Sequence, residues 1–262
     1  MLRALYSSAS GMESQQMNLD VIANNLANVN TTGFKKAKIE FQDLLYQTKR
    51  AAGSESGPGT QVPTSLQVGH GARPVSTAKI FTAGEIMSTG ERLDLAIHGN
   101  GFFKVTLADG TNAFTRDGGF KLDSTGQIVT SDGLPVTSFA GVTISPEATN
   151  VSISQTGIVS VTQNGTTNTA GSLVLSRFAN SAGLENIGAN LYRETPASGT
   201  EQTGEPSNAG MGTVQQGYLE LSNVKVVEEM VNLIKAQRAY EINSKAIQAA
   251  DEMMSMSNRL RG

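Results

Sequence analysis

Residues 2–29, LRALYSSASGMESQQMNLDVIANNLANV, hold no proline and a single glycine, Gly11. Apolar residues fall at Leu2, Leu5, Ala9, Met12, Leu19, Ala23 and Leu26, three or four positions apart except for one step that Gln16 occupies. That is the a/d seam of a heptad repeat, and it predicts a long amphipathic helix. Asn30-Thr31-Thr32-Gly33 supplies the stop, with Gly33 suited to the position past a helix end. The only charges through Val29 are Arg3, Glu13 and Asp20, and the rest of the polar face is serine, glutamine and asparagine. Such a face suits burial against other protein, where amides and hydroxyls find partners while unpaired charges are costly.

The opposite end carries a matching pattern. From about Ser222 to Leu260 there is neither glycine nor proline, and Ser222 or Asn223 is placed to cap a helix. Leu233, Tyr240, Ile247 and Met254 recur every seven residues, and a second stripe runs through Ala239, Ile242, Ala246, Ala249, Met253, Met256 and Leu260. Two stripes mean more than one apolar neighbour. At 1.5 Å per residue the two helices extend roughly 40 and 55–60 Å, well beyond a mean globular helix of about 11–12 residues. Pattern alone leaves two readings open: an intramolecular two-helix coiled coil, or helices that pack on copies of the same chain.

Between the ends, over roughly residues 75–220, the period falls to two. AFTRDGGFKLDSTGQIVTSDGLPV alternates between the turn pairs Asp117-Gly118, Thr125-Gly126 and Asp132-Gly133, and VSISQTGIVSVTQNGTT does so around Thr156-Gly157 and Asn164-Gly165. These are short antiparallel strands and hairpins. Ala51–Pro63, rich in Gly, Ser and Pro, reads as an extended loop or linker. The expected fold is therefore α+β. Long terminal helices pair as a coiled coil (1–33 with 222–262), an extended connecting segment follows (34–75), and a β-rich domain fills 76–221.

Composition removes most chemistry. The formal net charge is −3, which lacks the basic footprint of a nucleic-acid binder. There is no Cys, so disulfides, thiolate catalysis and Cys-zinc sites are out. The two histidines, His70 and His98, lie 28 residues apart and offer no metal-ligating pair. Gly, Ser, Thr and Asn make up over a third of the chain. No run approaches the roughly 18 apolar residues of a membrane span, and the N-terminus has no apolar core of about 7–15 residues, so no cleaved secretory signal is expected. Gly99-Asn100-Gly101-Phe102-Phe103-Lys104 begins like a phosphate loop, but Lys104 stands where the third glycine belongs and hairpins follow; a tight turn is the better reading. Asp123-Ser124-Thr125-Gly126 has one residue too many for an aspartic-protease loop. Asp109, Asp117, Asp123 and Asp132 sit at turns without the spacing of a calcium loop. No catalytic set, metal site or cofactor site is expected.

Three groups of residues resemble the flagellar rod and hook (axial) proteins. Ala23-Asn24-Asn25-Leu26-Ala27-Asn28-Val29 followed by Thr32-Gly33-Phe34-Lys35 is similar to their N-terminal signature. Leu95-Ala96-Ile97, Gly99-Asn100-Gly101-Phe102-Phe103 and Phe114-Thr115-Arg116-Asp117-Gly118 look like their β core. Asn223-Val224, Glu228-Glu229-Met230-Val231, Gln237-Arg238-Ala239-Tyr240-Glu241-Ile242-Asn243 and Lys245-Ala246 look like their C-terminal helix. Asp43–Thr48 through Pro63–Val75 resembles the insertion typical of distal-rod subunits within that family, and Ala51–Gly59 is where the sequence departs most from the pattern.

The resemblance implies a structural subunit of the distal rod that stacks helically into a hollow tube and acts as a rigid drive shaft. Another rod subunit or the hook protein is the alternative. The implied inner layer uses Leu5, Met12, Leu19 and Leu26 with Met230, Leu233, Tyr240, Ile247 and Met254 as the subunit interface. The implied rod-stiffening segment uses Tyr46, Gln47, Thr48, Pro63, Leu66, Gln67, Val68 and Gly69, with Pro58, Pro63 and Pro74 limiting its freedom. Implied partners are the chain itself, the proximal rod proteins, the hook protein, the P and L ring proteins of the basal body, and the flagellar type III export apparatus. The implied place is the rod of the flagellar basal body, spanning the periplasm. Neither nucleic acid nor membrane insertion is implied.

Overall fold

The computed structural model describes residues 2–57, 60–145, 148, 150–163, 165–208 and 210–259, so Pro58, Gly59, Asn164 and Leu260 lie outside the described residues. The chain is α+β: a helix at each end and antiparallel β structure between. It opens with α1 (Leu2–Ala27), followed by β1 (Ala37–Asp43), β2 (Tyr46–Arg50), β3 (Glu55–Gly57), β4 (Thr60–Gln61), β5 (Leu66–Gly69) and β6 (Ala72–Lys79). Next come β7 (Ile86–Ser88), β8 (Leu95–His98), β9 (Phe103–Thr106), β10 (Asn112–Thr115), β11 (Lys121–Leu122), β12 (Ile128–Val129), β13 (Asn150–Ile153), β14 (Ile158–Gln163) and β15 (Thr166–Ser172). The last strands are β16 (Leu175–Arg177), β17 (Glu185–Gly188), β18 (Leu191–Arg193), β19 (Gln202–Gly204), β20 (Thr213–Gln216) and β21 (Tyr218–Glu220), before α2 (Val226–Arg259).

Two compact units divide the chain. The first comprises residues 1–26, 37–78 and 225–262; the second comprises 27–36 and 79–224. The contacts thus group the segment 37–78 with the two helices.

In the first unit, residues 37–78 form one long nested hairpin. β1 pairs with β6, β2 with β5 and β3 with β4. The register descends steadily: Ser76 hydrogen-bonds Glu40, Arg73 hydrogen-bonds Gln42, the Leu44 N–H donates to Gly71 O, and Tyr46 stands opposite Gly69. The stretch expected as a loose linker is therefore the end of a ladder. Gly53 N–H donates to Val62 O at 2.8 Å and Val62 N–H to Ser54 O at 3.0 Å, and Val62 is buried. Backbone pairing, which no apolar alternation announces, holds it in place. Asn25 near the end of α1 is buried and clamps Ala37 at the start of β1, accepting from its N–H at 2.9 Å and donating to its carbonyl at 2.8 Å. One asparagine thereby supplies the paired hydrogen bonds of a neighbouring strand.

The second unit is a set of small antiparallel sheets around a shared core. β17-β18-β10-β9 form the largest, and β13-β14-β15 the next. Alternation works as expected in β13 and β14, where Val151, Ile153, Val159 and Val161 are buried and the residues between them, Ser152 and Ser160, are more exposed. They pack with Leu95, Ile97, Phe103, Phe120, Phe139, Leu173, Leu175 and Val214. A second cluster joins Phe102, Phe114, Phe178, Leu184 and Tyr192, whose rings meet edge to face. The turns at Thr125-Gly126, Asp132-Gly133 and Thr156-Gly157 close hairpins as expected, each through a backbone bond from its glycine to the residue three before. Asp117-Gly118 does not. Gly118 O accepts from Leu95 N at 3.1 Å, and a Cβ on Gly118 would stand 1.7 Å from Leu95 O, so the glycine serves a close backbone approach.

The start of α2 also differs from expectation. The helix begins at Val226 rather than after Ser222 or Asn223. Asn223 is instead engaged with β-domain backbone, accepting from Lys36 N at 2.7 Å and donating to Ile80 O at 2.7 Å.

Candidate assembly site

Residues 32–36 are fixed inside the second unit by an ion cluster. Lys35, Arg116 and Glu220 are 0%, 3% and 1% exposed. Lys35 Nζ donates to Glu220 Oε1 at 2.5 Å and to Thr82 O at 2.7 Å. Arg116 reaches Glu220 Oε2 at 3.3 Å and Gly99 O at 2.7 Å. Glu220 also accepts from Gly84 N at 2.9 Å, and its own carbonyl accepts from Gly33 N at 2.8 Å. Thr32 donates to Asp117 at 2.8 Å. Burial pulls the Lys35 and Arg116 pKa values down, and the Glu220 charge opposes it at both. Burial pushes the Tyr192 phenol up to about 12 against the opposing Arg116 charge, with the Glu220 charge adding a smaller push upward, so it stays neutral beside them. Lys36 O accepts from Ile80 N at 2.9 Å, so chain segments leaving this unit near residues 36, 80 and 223 are tied side by side. This arrangement holds a shape and offers no nucleophile–base pair; among the described residues no group of acids and histidines is gathered to hold a metal.

In the first unit the helices touch where side chains are small. A Cβ on Gly11 of α1 would stand 2.9 Å from Asn243 Nδ2 of α2. Along α2 Glu229, Ala236 and Ala250 are buried, and half-buried Asn243 fills the remaining place of that seven-residue spacing, whose two alanines favour close helix approach. Leu233, Ile247 and Met254 flank that line half-buried, and Tyr240 is exposed. On α1 the deepest residues are Ser14, Ile22 and Asn25, while Leu5, Met12, Leu19 and Leu26 are half-buried. The serine face has a partner in its own chain. Ser14 donates to Ala72 O at 3.4 Å, and a Cβ on Gly71 would stand 2.1 Å from Ser10 Oγ. Gly71 has φ +112°, so the β5–β6 turn requires glycine twice over, for conformation and for space.

The other side of α2 is apolar and uncovered. Val227 is 76% and Ile242 66% exposed, and Val226, Met230, Val231, Ile234, Met253 and Met256 are exposed with them. Val226, Val227, Met230, Val231 and Ile234 fall at i, i+1, i+4, i+5 and i+8, one contiguous face over two turns. An apolar face of this kind marks an interaction surface.

The hairpin brings part of the second set together. Tyr46 lies opposite Gly69, Gln47 opposite Val68 and Thr48 opposite Gln67. The Tyr46 ring covers Gly69 (3.2 Å from where a Cβ would stand), and the Asp43 carboxylate pushes the phenol pKa up by hydrogen bonding and charge. Leu45, Tyr46 and Leu66 are exposed, and Pro63 lies outside the ladder.

Comparison with known proteins covers both ends and the centre. Residues 5–35 match the family described as flagella basal body rod protein, 96–161 the flagellar hook protein FlgE/F/G D1 domain, and 215–260 the flagellar basal body rod FlgEFG protein C-terminal region. The chain is 50% identical to the flagellar basal-body rod protein FlgG of Borreliella burgdorferi, covering 100% of this chain and 99% of that protein. It is 47% identical to FlgG of Caulobacter vibrioides (99% and 100% covered), against 36% to FlgF of the same organism (95% and 94%). The first and last of the three matched regions contain the asparagine clamp and the exposed face of α2, and the chain belongs to the family of flagellar basal-body rod proteins.

Proposed function

We propose that this chain is a structural subunit of the distal rod of the bacterial flagellum, assembling with copies of itself into a rigid hollow tube that transmits torque. The observation that carries the reading is the apolar side of α2 that the described residues of the chain leave exposed. In the tube, α1 and α2 pair as an inner coiled-coil layer, with the seams Leu5–Leu26 and Leu233–Met254 as contact lines and the exposed side of α2 against neighbouring copies. The β unit forms the outer wall. Full-length identity to FlgG proteins, higher than to FlgF in the same organism, favours the distal rod over another rod subunit. The tube lies in the basal body across the periplasm inside the P and L rings, joins the proximal rod to the hook, and is supplied by the type III export apparatus.

The hairpin 37–78 reaches neighbouring subunits and stiffens the tube. Electron micrographs of the concentrated full chain are expected to show straight tubes, and deletion of Ala51–Leu66 to give curved or compliant ones with the β unit still folded. Solitary particles at every concentration would contradict the assembly reading; straight tubes from the deletion would contradict the role of the hairpin alone.

A further inference from the structure

The buried ion cluster does not sum to zero. Lys35 and Arg116 contribute two positive charges and Glu220 one negative charge. Among the described residues the Arg116 Nε–H has no acceptor. Arg116 lines a cleft of about 360 Å³ whose walls include Phe81, Phe102 and Phe178, with Arg177 and Ser181 also lining it. Arg177 donates to Gln202 at 3.0 Å and, among the described residues, pairs with no carboxylate. Two arginines and three aromatic rings therefore line one opening of mixed polarity whose walls contain no acid. A low-dielectric cleft lined by one sign of charge concentrates the opposite ion. Both Nη atoms of Arg116 are already engaged, so it offers a carboxylate its single Nε–H, while Arg177 adds a second charged donor; the rings favour an acid with a short hydrocarbon tail over a fully hydrated ion.

We infer that this cleft is a carboxylate socket, in which Arg116 and Arg177 hold the acid group and Phe81, Phe102 and Phe178 hold the carbon next to it. The acid comes either from an aspartate or glutamate of a second copy or from a small free carboxylic acid.

The test uses the full chain in dilute solution, with the arginine Nε–H signals followed by NMR during titration with propionate. Saturable shifts of Arg116 and Arg177 at millimolar propionate are expected, absent with chloride at equal ionic strength, and Arg177→Gln is expected to weaken binding at least about fivefold. No saturable shift, an equal response to chloride, or unchanged affinity in Arg177→Gln would overturn the socket and leave a water as the partner of Arg116. This arm stands or falls whether or not the chain polymerises. A second arm separates the sources. If the acid belongs to another copy, saturating propionate and Arg177→Glu each slow polymerisation. If it is a free acid, Arg177→Glu abolishes propionate binding and leaves polymerisation unchanged.

Discussion

Aspartate in place of Ile234 or Ile242 is expected to raise the critical concentration for polymerisation steeply while the β unit keeps its thermal transition. Both side chains are mostly exposed in the single chain, so either substitution removes little packing within it. In the tube each would put an unpaired charge between helices, at a cost of about 3–5 kcal/mol, which raises the critical concentration roughly 10²–10⁴-fold. Tyr240→Asp acts in the same direction. Leu233→Asp is a less clean probe, because Leu233 is already half-buried against its own chain. Sedimentation across a concentration series reads the effect. Normal polymerisation of Ile242→Asp would place that residue on a free surface.

Removal of Glu220 has the largest effect on stability. Glu220→Ala leaves Lys35 and Arg116 buried without their counter-charge and Gly84 N–H without its acceptor. A buried ion pair broken from one side costs about 3–5 kcal/mol, which for a unit of this size lowers the melting temperature by roughly 10–15 °C. Adding Lys35→Met removes one of the two stranded cations and is expected to recover part of the loss. Scanning calorimetry checks both variants; an unchanged transition in Glu220→Ala would mean that the cluster is solvated rather than dry.

Periodicity carried the reading of the ends because a helix that shelters one face must repeat its apolar residues every three or four positions. It located both helices, and it marked two stripes on α2, of which the structure leaves one largely exposed. The turn residues of the β unit were equally legible where a glycine closes a hairpin. Gly118 looks the same in sequence but serves a backbone approach from Leu95, which lies 23 residues earlier and leaves no local signal. The ion cluster was invisible for the same reason, since Lys35, Arg116 and Glu220 come from three distant parts of the chain. Glu220 actively misleads: alternation in Tyr218-Leu219-Glu220 turns Leu219 inward, whereas Glu220 is the buried one. The long hairpin escaped detection because its strands are mostly exposed and polar, so backbone bonds rather than an apolar face define them.

The chain contains no cysteine, which makes a single introduced thiol an unambiguous reporter. Ile242→Cys, treated with a maleimide in dilute solution and again after polymerisation, reads directly whether copies of the chain cover the apolar side of α2. Rapid labelling when dilute and strong protection in the tube is the expected pair of results; equal labelling in both states would contradict an interface built on that surface.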